Sequence, residues 1–247
     1  MDDHQKLSSS PTPWLPEPML NILHQDPHYL AIDKPANLLV HRSAQDAHET
    51  QFALQMLRDQ IGQSVYPCHR LDKPTSGVLL FALNQQAQRA AHSAFAEQHP
   101  EKTYFAAVRG WVDAAGVIDH DLRKEDKPGK VQTAVTEYRC LRQSTINTPV
   151  GRYPSARFSL VKLSPRTGRT HQLRRHMAHL RHPILGDTRH GDSAQNRFLR
   201  AYCGHQRLLL RAVRLRMTHP MGGPALDIEA GADREFDAIL ARLDLSE

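Results

Sequence analysis

Apolar residues along this chain recur mostly with the two-residue period of strands, interrupted by a few stretches of helical period. Residues 20–26 and 28–35 read as two strands joined by a turn at Asp26-Pro27, and residues 38–41 continue the extended pattern. Thr50 is placed to cap a helix running through Ile61, with Phe52, Leu54, Met56, Leu57 and Ile61 as its apolar face and Gly62 as its stop. Val78-Leu79-Leu80-Phe81 is a short apolar run of the kind found in a buried strand. Asn84 is a natural cap for a helix over 85–99, and 102–110 alternates as a half-buried strand. Residues 116–129 are charged and loop-like, whereas 134–141 and 156–163 alternate as strands. A turn at 165–169 leads into a helix over 170–180 with Thr170 as its cap. Strands over 208–217 and 225–228 and an amphipathic helix over 234–243 complete the chain.

Strands outnumber helices and connections are short, so the expected fold is α+β, with a largely antiparallel or mixed sheet flanked by helices. Residues 1–18 are rich in Ser and Pro and read as a flexible leader, with Trp14 pinning its end. Residues 19–247 read as one domain, with no separate module before it.

Charge adds a partner class. Lys and Arg total 32 against 26 Asp and Glu, a formal charge of +6. The arginines between Arg166 and Arg216 face only Asp187 and Asp192, and arginine suits bidentate contact with phosphate. Cys68, Cys140 and Cys203 are odd in number and far apart with no C-x-x-C pair, which argues against a disulfide framework or a Cys-based zinc site and for reduced thiols in a cytoplasm. No apolar run approaches the ~20 residues of a membrane span, and no secretory signal is present. No obligate protein partner is evident.

The candidate chemistry centres on residues 69–77, His-Arg-Leu-Asp-Lys-Pro-Thr-Ser-Gly. Its carboxylate, Asp72, sits on a loop anchored by the buried strand behind it, a rigid mounting for a reactive group. The plain alternative is that the Asp72 side chain closes the turn by accepting an N–H near Thr75. A second segment, Gly168-Arg169-Thr170-His171-Gln172-Leu173-Arg174-Arg175-His176, opens a helix whose N-terminus favours anions. A guanidinium from this helix beside Asp72 would favour the ionised carboxylate and fix its direction.

These segments resemble the pseudouridine synthases, in the branch carrying His-Arg-Leu-Asp followed by Thr-Ser-Gly. The likeness runs from about Asn21 to the C-terminus and includes Leu39-Val40-His41-Arg42-Ser43, Thr167-Gly168-Arg169 and residues 176–184. It departs at Lys73, where arginine is common. The resemblance implies isomerisation of uridine to pseudouridine in RNA, and its closest form is the single-domain members acting at position 65 of tRNA. It places the catalytic nucleophile or base on Asp72 and pairs it with Arg174. It sets Tyr104 against the target base, makes Leu173 a wall of the uracil pocket, and gives Arg70 the extruded nucleotide. Arg169, His171 and Gln172 complete the expected substrate-binding set.

The resemblance implies no cofactor and no metal, in keeping with the lack of a Gly-rich phosphate loop or dinucleotide fingerprint. The spacing of His171, His176, His179 and His182 would allow a metal on a helix face. That reading corresponds to a metal-dependent RNA hydrolase, which would be sensitive to chelators. Two further alternatives are a synthase acting on ribosomal RNA and a non-catalytic RNA-binding protein.

Overall fold

The computed structural model describes residues 19–42, 49–125, 129–204 and 206–246; the expected leader lies outside them. The chain begins with a hairpin of β1 (Asn21–Gln25) and β2 (Tyr29–Lys34). The Asp26 carboxylate closes its turn by accepting the N–H groups of His28 and Tyr29. Helix α1 (Ala53–Ile61) follows, capped at Phe52 and not at Thr50. The reason lies in the preceding segment: Leu39 and Val40 carbonyls accept the N–H groups of Ala53 and Leu54, which otherwise lack partners at a helix start. Gly62, at φ 71°, ends the helix in the left-handed conformation that glycine adopts without strain.

The short β3 (Tyr66–Pro67) leads through the Asp72 loop into β4 (Ser76–Ala82), which is buried throughout. Leu79 and Phe81 pack with Leu57 of α1, while Val78, Leu80 and Ala82 pack with Ala87, Ala91 and Ala94 of α2 (Gln85–Glu97). A strand covered on both faces reads as a continuous apolar run, as this one does. Asn84 caps α2 as expected, accepting the N–H of Ala87.

Next come β5 (Glu101–Arg109), β6 (Ala115–Asp119), β7 (Leu122–Arg123) and β8 (Val131–Gln132). The loop expected over 116–129 is therefore partly strand. Only Ile118 of β6 is buried, so this edge strand carries almost no apolar signal. Strand β9 (Val135–Ile146) runs beyond its expected end and pairs with β10 (Ala156–Pro165). Helix α3 (Gln172–His179) is capped by His171 at φ 53°, not by Thr170. Helix α4 (Ser193–Cys203) had no counterpart in the periodicity, because its inner face carries Gln195 and Asn196 beside Phe198 and Leu199. The chain closes with β11 (Leu210–Met217), β12 (Leu226–Glu229) and α5 (Arg234–Arg242).

The main sheet has the order β1-β2-β4-β11-β5-β10-β9-β6, with β12 against β11 and β3 against β4. Every pairing is antiparallel except β4 with β11, so the sheet is mixed and the α+β expectation holds. At that parallel junction Gly77 has φ 110°, and a Cβ there would stand 2.0 Å from the Ala212 carbonyl oxygen. No side chain fits.

The same junction is tied by buried charge. Arg207 donates to Ser76 and to both carboxylate oxygens of Asp233, and Arg211 pairs with Asp33 and Asp233. Arg174, Arg207 and Arg211 are all buried, so part of the arginine-rich segment that read as a phosphate grip is internal architecture.

Candidate active site

The loop before β4 presents Asp72 without using its side chain to hold the turn. The backbone carbonyl of Asp72 accepts the Thr75 N–H at 3.0 Å, so the carboxylate is left free for other work. Lys34, fully buried on β2, supports the loop from behind. Its Nζ donates to the carbonyls of Pro35, Leu38 and Lys73 at 2.9, 2.8 and 3.1 Å. Burial pushes this ammonium down to about 7, opposed by the charge of Asp72. His69 completes the mounting: its Nε2 accepts the Leu80 N–H at 3.1 Å, and its ring packs 5.1 Å from that of Phe95.

Helix α3 brings Arg174 to this loop. Its Nη1 donates to Asp72 Oδ2 at 3.2 Å, while Nε and Nη2 grip the two oxygens of Asp187 at 2.8 Å each. Burial alone would raise the Asp187 carboxyl. The Arg174 hydrogen bonds and the backbone N–H groups of His190 and Arg189 outweigh that and hold it below the usual carboxylate range. Asp187 is itself placed by Asn196 of α4, which donates to its carbonyl and accepts the Gly186 N–H. The sequence offered one signal for Asp187: it is among the two acidic residues in an arginine-rich stretch. The other, Asp192, caps α4 and pairs with Arg109.

Asp72 and Arg174 line a cleft of about 660 Å³, together with the other six residues expected at the site: Arg70, Tyr104, Arg169, His171, Gln172 and Leu173. That volume falls within the range of small-molecule pockets. Tyr104, on β5, packs where the α1 and α3 clusters meet. Burial, and after it the Asp72 charge, push its phenol well above the ordinary value, so it stands in the cleft as a neutral O–H. Leu173 is buried in the apolar cluster with Leu210 and Met177, and Arg70 is exposed at the mouth. Arg169 donates through Nε to the Thr133 carbonyl.

Gln172 differs from expectation in what its side chain does. Its oxygen accepts from Thr167 Oγ1 and the Arg169 N–H, and its nitrogen donates to the Val135 carbonyl and Thr136 Oγ1. These partners use the amide's full capacity, so Gln172 holds the 167–169 turn in place instead of offering groups to a ligand. His171 turns Nε2 toward Asp72, at 3.9 Å from Oδ2.

The four spaced histidines do not converge. His176 bonds Thr136 and the His120 carbonyl, His182 bonds the Arg109 carbonyl, and His179 stacks on His120.

Arg174 of α3 thus reaches Asp72 in a cleft framed by a mixed sheet, the pairing that the resemblance implies, while its second carboxylate, Asp187, is one that the resemblance did not name. Residues 28–179 match the RNA pseudouridylate synthase family. The chain belongs to that family.

Two curated relatives of this RNA pseudouridylate synthase align over nearly their whole length. It is 49% identical over 232 residues to tRNA pseudouridine synthase C of Vibrio cholerae, covering 90% of this chain and 95% of the relative. The enzyme of the same name from Pasteurella multocida is 50% identical, with 88% and 93% covered. Among solved structures, Human RNA Pseudouridylate Synthase Domain Containing 1 superposes with a TM-score of 0.71 at 25% identity, covering 89% of this chain and 87% of the other. Human RNA Pseudouridylate Synthase Domain Containing 4 gives 0.68 at 26%, covering 91% and 93%. Among the described residues no helix is long and apolar enough to cross a membrane.

Proposed function

We propose that this enzyme isomerises a uridine of tRNA, at position 65, to pseudouridine, with Asp72 as the catalytic nucleophile or base. The observation that carries the assignment is the Asp72 carboxylate, spared from its own turn and aimed into the cleft by Arg174. Likeness over most of the chain to relatives named for a tRNA activity supports the substrate.

In this reading the uracil N1–C1′ bond breaks, the base turns while held, and C5 joins C1′. The C5 hydrogen leaves as a proton and N1 gains one, so no redox partner or nucleotide energy is required. Asp72 acts at the sugar, where a carboxylate can attack carbon or accept a proton. Arg174 fixes its direction. Tyr104 packs against the base, with its neutral hydroxyl available for proton transfer, and Leu173 closes the apolar side. Arg70 and Arg169 meet the backbone and the extruded nucleotide, whose removal from a stem costs a few kcal/mol. The three free thiols fit a reducing compartment, and the reading sets the enzyme in the cytoplasm with tRNA as its partner.

The test is tritium release from tRNA labelled at uridine C5, with the modified position mapped and Asp72→Ala alongside. Release at position 65 by the unaltered protein, with retained tRNA binding but no release by the variant, is the expected result. Release from ribosomal RNA alone would replace the substrate and keep the chemistry. Tight RNA binding with no release from either would make this a binding protein.

A further inference from the structure

Three side chains from separate segments meet beside the cleft, which His171 lines. Glu125 follows β7, His171 is the left-handed cap of α3, and His190 lies on the turn organised by Asp187. His171 Nδ1 lies 3.1 Å from Glu125 Oε1 and 3.1 Å from His190 Nε2, and the latter two atoms are 3.9 Å apart. The circle through these three atoms has a radius of about 2.0 Å, the length of a zinc–nitrogen or zinc–oxygen bond.

We propose that Glu125, His171 and His190 form a binding site for a transition-metal dication of the zinc class. Two imidazoles and a carboxylate are borderline-soft and hard donors of the type such ions select, and three protein ligands leave a fourth position for water. The surroundings prepare the donors. Arg189 holds the other Glu125 oxygen, Oε2, at 2.7 Å, and the Asp187 carboxylate accepts the N–H groups of Arg189 and His190. A single proton on His171 Nδ1 cannot point at both neighbours, whereas a cation at the centre serves all three.

The site is separate from the bond-making chemistry and touches it through one ring. Metal on His171 Nδ1 obliges its proton to sit on Nε2, the nitrogen that faces Asp72. The same ion joins the β7 segment to α3 and the 187–190 turn, three pieces that line or support the cleft.

The experiment is a titration of chelator-treated, tag-free full-length protein with Co²⁺, read from its ligand-field bands in the visible, and with Zn²⁺, read by calorimetry. The unaltered protein is expected to bind with bands of four-coordinate cobalt, and Glu125→Gln and His190→Ala are each expected to weaken binding by at least about tenfold. Glu125 stands at the surface, so its variant retains the fold, which circular dichroism checks. Absence of the bands, or equal affinity in the unaltered protein and a variant carrying both Glu125→Gln and His190→Ala, overturns the proposal. The readout is binding, so it is independent of whether the enzyme modifies tRNA.

Discussion

Arg174 holds Asp187 with two hydrogen bonds of 2.8 Å and gives Asp72 a third of 3.2 Å. The guanidinium is thus fixed in plane by one carboxylate in order to direct another. Removing Asp187 leaves Arg174 buried with half its partners gone. Asp187→Ala is therefore expected to lose roughly 3–5 kcal/mol of stability in urea unfolding, the cost of breaking a buried pair from one side. Asp187→Asn, which keeps an oxygen for one N–H, is expected to fold better yet turn over slowly, because Arg174 is no longer held in plane. Unchanged turnover in a folded Asp187→Asn protein would remove Asp187 from the account.

Tyr104 separates two contributions. Tyr104→Phe retains the ring and is expected to lower kcat by about 10²–10⁴-fold, the range for a lost proton-transfer group, with little change in KM. Tyr104→Leu also loses stacking, worth ~1–3 kcal/mol per base, and is expected to raise KM as well. A phenylalanine variant as fast as the unaltered enzyme would leave the hydroxyl without a role.

His69 makes stability depend on pH. Burial, then the nearby Lys102 charge, lower its pKa from 6.5 to about 4, and its Nε2 must stay unprotonated to accept the Leu80 N–H. A depressed histidine binds fewer protons folded than unfolded between these values. Stability therefore rises with pH across the window and falls as pH drops from about 6.5 to about 4. The loss is on the order of 3 kcal/mol at most, for a shift of this size. His69→Gln keeps an acceptor without titrating, and its stability difference from the unaltered protein should shrink toward pH 4. A parallel pair of stability curves would show that His69 does not couple.

Arg70 stands at the cleft mouth without the burial of Arg174. Arg70→Ala is expected to weaken RNA binding and reduce the slope of log affinity against log salt by roughly 0.7–0.9, one phosphate's share. Filter binding at several salt concentrations checks this; an unaltered slope would mean that Arg70 meets the base and not the backbone.

The parts of this molecule legible in its sequence are those whose cause is local or periodic. β4 announces itself because α1 and α2 bury both faces, and Asn84 caps α2 with its own side chain. The meeting of Asp72 with Arg174 was legible through the motifs, although composition alone favoured Asp72 as a turn former. What could not be read depends on partners far along the chain. Phe52 caps α1 because Leu39 and Val40 lend their carbonyls, α4 hides behind Gln195 and Asn196, and Arg207 and Arg211 look like surface charge until Asp233 and Asp33 arrive. Gln172 shows the same effect at the site, since two of its four partners, Val135 and Thr136, lie far back on β9.

The parallel pairing of β4 with β11 also sets a schedule. Gly77 can lie against Ala212 only after residues near 212 have been synthesised, and Ser76 meets Arg207 no earlier. A nascent chain that has delivered its Asp72 loop therefore still lacks the strand that clamps it. Contacts of such long sequence separation form slowly. Until β11 docks, the growing polypeptide carries its cationic segments without an assembled catalytic centre, and competence for chemistry arrives late in translation.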